Sequence, residues 1–457
     1  MKKPLLLSLG LLLLFWHITV RAQTYTYIPE KPDVTFLQQL SATCKERYTA
    51  EIQALPAKNK KDYLELYEER WTGIKERFDG KEIYTGSAAR EYLNRVRAEI
   101  VRGNPSLKQL TFDCYFSRTA IPNASYIGHG MILFNMGLFS RLRTESEAAF
   151  VLCHEIAHCL LRHTENGINN YVVTLNSAEV QAELRKIKGS EYHKKEQLQK
   201  LVKGLTFDSR RHSRDHEGQA DSMAVELMKH TRFALGGALS ALALLDVIDT
   251  DSLHTADCLR RFFNAPDYPF QQKWIAKDGG LLGGHARIKD EEMADSLKTH
   301  PDCQARIKAL EPAVLRAAQP GAGAFIIDSS RFRSLQESFR FEAIEYAYES
   351  NKYTRCLFLT LESLDKRPAD PYLVTQVGKV LNGLYLAQKA HTLSKVTALP
   401  SPDYRANYNL LLQFVQNLYL ENIAAINYYY LRQHHPAMSS YAPFHEAYQQ
   451  SENFFHL

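Results

Sequence analysis

The stretch from Thr144 to Arg162 constrains the fold more tightly than any other part of the chain. Thr144-Glu145-Ser146-Glu147 is a capping-box sequence, in which the threonine oxygen and the glutamate three residues on satisfy each other's orphan backbone donors, so a helix starts there. Ala148, Val151, Leu152, Ile156 and Leu160 continue at helical spacing through about Arg162, and the Asn166-Gly167 step predicts the end. In the middle of this helix lies His154-Glu155-Ile156-Ala157-His158, so two imidazoles project from one face, a turn apart.

That spacing suits one zinc ion bound by His154 and His158, with Glu155 placed to take a proton from an attacking water. With 17 histidines in 457 residues the five-residue pattern arises by chance in roughly four of a hundred such chains, so its context has to carry the argument. A capped helix with apolar residues on its packing positions supplies that context. A catalytic zinc needs a third protein ligand and an open position. A third histidine at the metzincin spacing fails, because Leu161 and Thr164 stand where glycine and histidine are required. His163 is expected about 140° or more away from the His154/His158 face on a continuing helix. Arg214-Asp215-His216-Glu217-Gly218-Gln219-Ala220-Asp221 offers a better candidate: Glu217 as ligand and Asp221, four residues on, as acceptor for the ring N–H of a ligand histidine, His154 first. His212 and His216 remain rival ligands.

The rest of the chain is read around this helix. Residues 23–105 alternate charged and apolar positions at helical spacing and predict two to four helices. Leu110 to Phe116 and Met131-Ile132-Leu133-Phe134 read as strands. Asn169 to Arg214 is polar and lysine-rich, with a charged helix expected over Glu179 to Lys203, and core helices are expected at about His216 to Lys229 and Leu235 to Ile248. Residues 250–298 look irregular, with Gly279-Gly280 and Gly283-Gly284 marking loops. Ala317 to Ala324 has the small, uncharged composition of a linker, which places a boundary at 317–333 between a catalytic region at 106–316 and a helical tail at 334–457. The tail carries a weak tetratricopeptide-like spacing, for which a plain helical bundle is nearly as good a reading. The expected class is therefore α+β, mainly helical, with a small sheet in the zincin-type core.

Residues 1–22 read as an export signal: Lys2 and Lys3, a mainly apolar run from Leu5 to Trp16, and a small-residue end at Val20-Arg21-Ala22. An uncleaved anchor is the alternative, disfavoured because the run is short for a bilayer. Removing Lys2, Lys3 and Arg21 lowers the formal charge from +5 to +2, a balance that argues against a nucleic-acid partner. No other stretch is apolar enough to span a membrane, so membrane contact is expected to be peripheral at most. An exported destination permits disulfides; Cys153 and Cys159 face different ways on one helix, and Cys258 with Cys303 is a candidate pair.

Four blocks, in order, resemble the gluzincin family that contains the CAAX prenyl endopeptidase, the HtpX quality-control protease and the periplasmic outer-membrane-assembly protease BepA. They are Pro122-Asn123-Ala124 followed by Gly130 to Phe134, Ala149 to His163, Ser213 to Asp221, and Thr299-His300-Pro301 with Arg306 and Leu310. The resemblance covers about residues 106–312. It implies that Met131, Ile132, Leu133 and Phe134 form an edge strand that adds an extended substrate by backbone hydrogen bonds. It also implies that His300 lies near the zinc, as a transition-state contact or a reversible plug. Insertions at 166–214 and 250–298 depart from the family spacing and bear on the role of His300. The helical tail brings BepA-like proteases nearest.

The resulting expectation is an exported zinc endopeptidase of the bacterial periplasm, or a secreted one, acting on misfolded or assembly-stalled envelope proteins with a partner docked on the tail. The competing expectation is a zinc-binding scaffold or chaperone acting through the tail helices, for which an intact Glu155 has no use. A non-proteolytic hydrolase of the deaminase type lacks the paired cysteine ligands such sites use.

Overall fold

Apolar side chains three and four residues apart make the first two helices one-sided: Leu37, Leu40, Cys44 and Tyr48 on α1 (Val34–Gln53), and Tyr63, Tyr67, Ile74 and Phe78 on α2 (Lys60–Asp79). The computed structural model describes residues 27–190, 194–248, 253–276, 303–317 and 321–457. The expected signal at 1–22, the Gly279-Gly280 and Gly283-Gly284 loops, and Thr299-His300-Pro301 with His300 lie outside the described residues. Among the described residues, no helix is long and apolar enough to cross a membrane.

The two helices close over one face of a three-stranded sheet, β1 (Asp113–Ser117), β2 (Ala124–Gly128) and β3 (Met131–Asn135), in the order β1-β3-β2. β3 runs parallel to β1 and antiparallel to β2. Met131 and Leu133 pack with α1 and α2, while Ile132 and Phe134 face the main core beneath α3 (Ser87–Gly103). Burial on both faces is why this strand is apolar at successive positions, and it overturns the edge-strand expectation for Met131, Ile132, Leu133 and Phe134. Both backbone edges of β3 are already paired. β1 and β2 are the outer strands, and the middle residues of β2, Ser125, Tyr126 and Ile127, are only partly covered.

After a short turn of helix, α4 (Met136–Phe139), the chain enters α5 (Glu145–Leu160), buried from Glu145 to Ala157. Leu161 and Arg162 break it, with Arg162 left-handed at φ 53°, before α6 (His163–Leu175) and α7 (Ala178–Gly189). α8 (Lys194–Lys229) is one continuous helix where two were expected. No proline interrupts it, and its last turns, through Ala220, Ala224, Val225 and Met228, enter the core beside α5 and α9 (Gly236–Val247).

Residues 253–276, expected to be irregular, form α10 (Thr255–Phe262) and a turn carrying Trp274, and their apolar side chains join the core of the C-terminal helices. α11 (Cys303–Arg316) returns to the α5 core through Cys303, Leu310 and Val314. Cys258 and Cys303 therefore sit in different cores, and all seven cysteines are free, which corrects the expected pair.

The segment with linker composition is held in place. Ser146 donates its backbone N–H to Ala324 O at 3.0 Å. The buried Glu145 carboxylate accepts the amides of Ile326, Ile327 and Asp328 at 2.6, 2.7 and 2.8 Å. Such pairing is what allows a carboxylate at zero exposure. α12 (Ser329–Glu349) then belongs to both cores, with Phe332, Leu335 and Phe339 in the α5 core and Phe341, Ile344 and Ala347 in the tail core. α13 (Tyr353–Lys366), α14 (Pro371–Lys389), α15 (Ala406–Asn417), α16 (Leu420–Met438) and α17 (Ala442–Phe455) complete the tail, with α14 central against α13, α16 and α17. Among the described residues the structure is mostly helical with one small sheet.

Candidate metal centre

The α5 cap fixes where the histidines point. Thr144 Oγ1 accepts the Glu147 N–H at 3.2 Å, and the Glu147 carboxylate accepts the Arg143 N–H at 2.5 Å, one residue earlier than the reciprocal box expects. Two turns on, His154 and His158 leave one face with their Nε2 atoms 3.0 Å apart. α8 crosses α5 at this level. Glu217 presents Oε2 3.4 Å from His154 Nε2 and Oε1 3.4 Å from His158 Nε2. Among the described residues His154, His158 and Glu217 form a grouping whose ligand atoms all lie within 4.8 Å of one another.

The outer nitrogens of both rings are engaged, which bears on whether this trio suits a metal. His154 Nδ1 faces Asp221 Oδ1 at 2.9 Å. His158 Nδ1 meets His163 Nδ1 at 2.9 Å, and His163 Nε2 meets Gln219 Oε1 at 3.1 Å. An amide oxygen only accepts, so a neutral His163 donates from Nε2 and accepts at Nδ1. His158 then carries its proton on Nδ1, as His154 does toward Asp221, and both Nε2 lone pairs converge where Glu217 points. Two imidazole lone pairs and a carboxylate are a donor set that fits Zn2+.

The charge balance agrees. Burial works against charge on His154, yet Asp221 and Glu217 raise its pKa to about 10. A field that favours a proton there favours a divalent cation more. Burial also opposes charge on Glu217, but the neighbouring His154 and His158 rings, aided by Arg306, hold its carboxyl far below the usual range. Arg306 on α11 donates to both oxygens of Asp221 at 2.7 Å and stands 3.3 Å from Glu217 Oε2. Asp221 is held low despite its burial, chiefly by that guanidinium.

Glu155 points to the opposite wall. Its Oε2 accepts the Tyr126 backbone N–H at 2.7 Å, so the carboxylate lies between the metal-facing nitrogens and the free edge of β2. Burial raises its pKa, against the lowering effect of His154, His158 and the Tyr126 amide. A base tuned upward lies closer to neutral pH, where proton transfer in both directions is efficient. The hollow over these groups, about 250 Å³, is floored by His154, Glu155, His158 and Glu217 and walled by Asn123 to Tyr126, Phe150, Leu245 and Arg306.

Met131, Ile132, Leu133 and Phe134 do not line this hollow; Asn123 to Tyr126 stand where they were expected. His216 stacks on His163 at 4.2 Å between ring centres and is not in the ligand grouping. The side chain of His212 is outside the described residues. His163 is closer than a continuous helix allows, because the left-handed Arg162 swings it back under His158. No glycine or proline marks that turn in the sequence, whereas Arg306 stands in a block of the family resemblance without an assigned role.

No curated protein matches the chain. Residues 87–314 match the model of peptidase family M48, a span that contains the sheet, both histidines, Glu155, Glu217, Asp221 and Arg306, and across it the chain is an M48-family metallopeptidase domain acting on protein or peptide.

Proposed function

We propose that the protein is a zinc-dependent endopeptidase in which His154, His158 and Glu217 hold the metal and Glu155 is the general base. The observation that carries the reading is the convergence of the two Nε2 atoms and the Glu217 carboxylate, with Glu155 beside them on the cleft side. When bound, zinc supplies Lewis acidity that lowers the pKa of water toward about 7 and polarises the scissile carbonyl. Glu155 removes the proton of the attacking water as its oxygen bonds to the carbonyl carbon. The same carboxyl then gives that proton to the amine nitrogen as the C–N bond breaks. Asp221 and His163 keep the ligand rings aimed, and Arg306 keeps Asp221 and Glu217 charged and in place. The outer edge of β2 offers the backbone groups that Glu155 does not engage to an extended substrate, which makes Asn123 to Tyr126 the strand-addition site.

The wider setting is part of the same proposal. The basic-apolar-small pattern of residues 1–22 supports export, and the family resemblance with its helical tail supports a bacterial periplasmic protease of the BepA-like branch. Misfolded or assembly-stalled envelope proteins are the substrates that fit this setting, with the TPR-like tail as partner-docking surface.

Substituting Glu155→Gln tests the chemistry. Cleavage of an unfolded protein is expected to fall about 10²- to 10⁴-fold while bound zinc stays near one per chain. Near-wild-type cleavage excludes Glu155 as the base.

A further inference from the structure

A second hollow, about 520 Å³, lies on the other side of Tyr126 and is roughly twice the size of the one above the histidines. Tyr126 lines both. So does the first turn of α6, with Thr164 on the catalytic side and its neighbour Glu165 on the other. A peptide bound along β2 across Glu155 therefore passes the mouth of the second hollow within a residue or so of the scissile bond.

We propose that this hollow is a side-chain subsite that takes a large aromatic residue of the peptide substrate; the proposal rests on the peptidase reading above. Its walls are the rings of Tyr63, Tyr67 and Tyr126 with Leu55 and Leu110. Ring faces and edges of this kind favour another aromatic group over an aliphatic one of similar area. The two carboxylates in the walls already have partners: Glu51 the His129 ring at 2.8 Å, and Glu165 the Arg70 guanidinium at 3.6 Å. A charged substrate side chain finds no buried counter-ion held open for it, and Arg162 stands at the exposed rim, where solvent screens it.

The subsite is preformed. Tyr63 donates its hydroxyl to Asn169 Oδ1 at 2.7 Å, and Asn176 donates to Asp62 Oδ2 at 2.7 Å, tying α2 to α6. Arg70 on α2 donates to Ile127 O at 3.0 Å and Arg47 on α1 to His129 O at 3.3 Å, tying α2 and α1 to the far end of β2 and the turn after it. Walls fixed in advance spend little binding energy on ordering. Glu51, Leu55, Tyr63 and Tyr67 precede the M48-matched segment 87–314, so the preference belongs to this chain's own N-terminal helices.

The test uses the full-length zinc-loaded protein and quenched peptides that differ only at the positions flanking the cleaved bond. At one of these positions Phe, Tyr or Trp is expected to raise kcat/KM about tenfold or more over Ala. Ala54→Trp at the exposed rim and Leu55→Trp in the wall fill the hollow. Both are expected to reduce the aromatic advantage to less than about twofold. No aromatic preference in the wild type, a preference that survives both fillings, or an equal loss for both peptides overturns the subsite. Fluorescence anisotropy with the Glu155→Gln protein and uncleaved peptides separates the two claims. If wild type cleaves none of the peptides yet aromatic ones bind tighter until Ala54→Trp removes the difference, the subsite stands and the peptidase reading fails. Cleavage without discrimination sinks the subsite alone, and absence of both sinks the subsite with it.

Discussion

Arg306 grips Asp221 through two parallel bonds, Nε to Oδ2 and Nη2 to Oδ1, each 2.7 Å long, with both side chains nearly buried. Asp221 in turn faces His154 Nδ1, so a residue on α11 sets the aim of a ring on α5 through a carboxylate on α8. Outer partners of this kind govern how well ligands hold a metal. Arg306→Ala is expected to weaken zinc binding about 10- to 100-fold in competition with a chromophoric chelator. Stranding the buried Asp221 charge also costs about 3–5 kcal/mol in urea unfolding. Arg306→Lys keeps the charge but not the fork, so its loss falls between wild type and Ala. Unchanged zinc affinity in the Ala variant contradicts the relay.

His163 makes the corresponding contact to the other ring, accepting from His158 Nδ1 while Gln219 receives its Nε2 proton. Burial lowers the His163 pKa to about 4, so it stays a neutral acceptor near neutral pH. His163→Ala is expected to weaken zinc binding by about tenfold or more, and His163→Asn, which keeps an acceptor oxygen, to recover part of it. Equal affinity in the two variants is evidence against a positioning role.

How much of this was legible in the sequence depends on the range of the interaction. The spacing of His154, Glu155 and His158 and the four-residue step from Glu217 to Asp221 are local periodicities, and they mark side chains that the fold does bring together. The family resemblance puts the strand nearest the cleft at Met131–Phe134. Apolarity at successive positions marks a middle strand buried on both faces, and the half-covered Ser125-Tyr126 marks the edge. His163 was placed on the far side because its position hangs on one left-handed residue, Arg162, within a run without glycine. The 317–333 segment has linker composition, yet Glu145, distant in sequence, captures its amides. Trp274 and Phe262 likewise declare their place in the tail core only through partners in distant helices.

Glu99 offers a pH test away from the metal. Burial alone raises its pKa, but hydrogen bonds from Arg102 and Arg232 hold it down to about 2. A carboxyl depressed in the folded state contributes fully above its unfolded value, about 4.3, and loses that contribution as pH falls toward 2. Glu99→Gln is therefore expected to lower stability by about 1 kcal/mol or more near neutral pH. Its urea midpoint should also fall less steeply than wild type between about pH 5 and 2. Parallel curves for the two proteins contradict this assignment.

The central claim is that residues from two helices share one metal. Anomalous diffraction at the zinc edge, on crystals of the full-length protein grown with zinc, tests it most directly. The account predicts one strong peak at about 2.0–2.2 Å from His154 Nε2, His158 Nε2 and a Glu217 oxygen. A peak that leaves Glu217 uncoordinated, or no peak between α5 and α8, contradicts it.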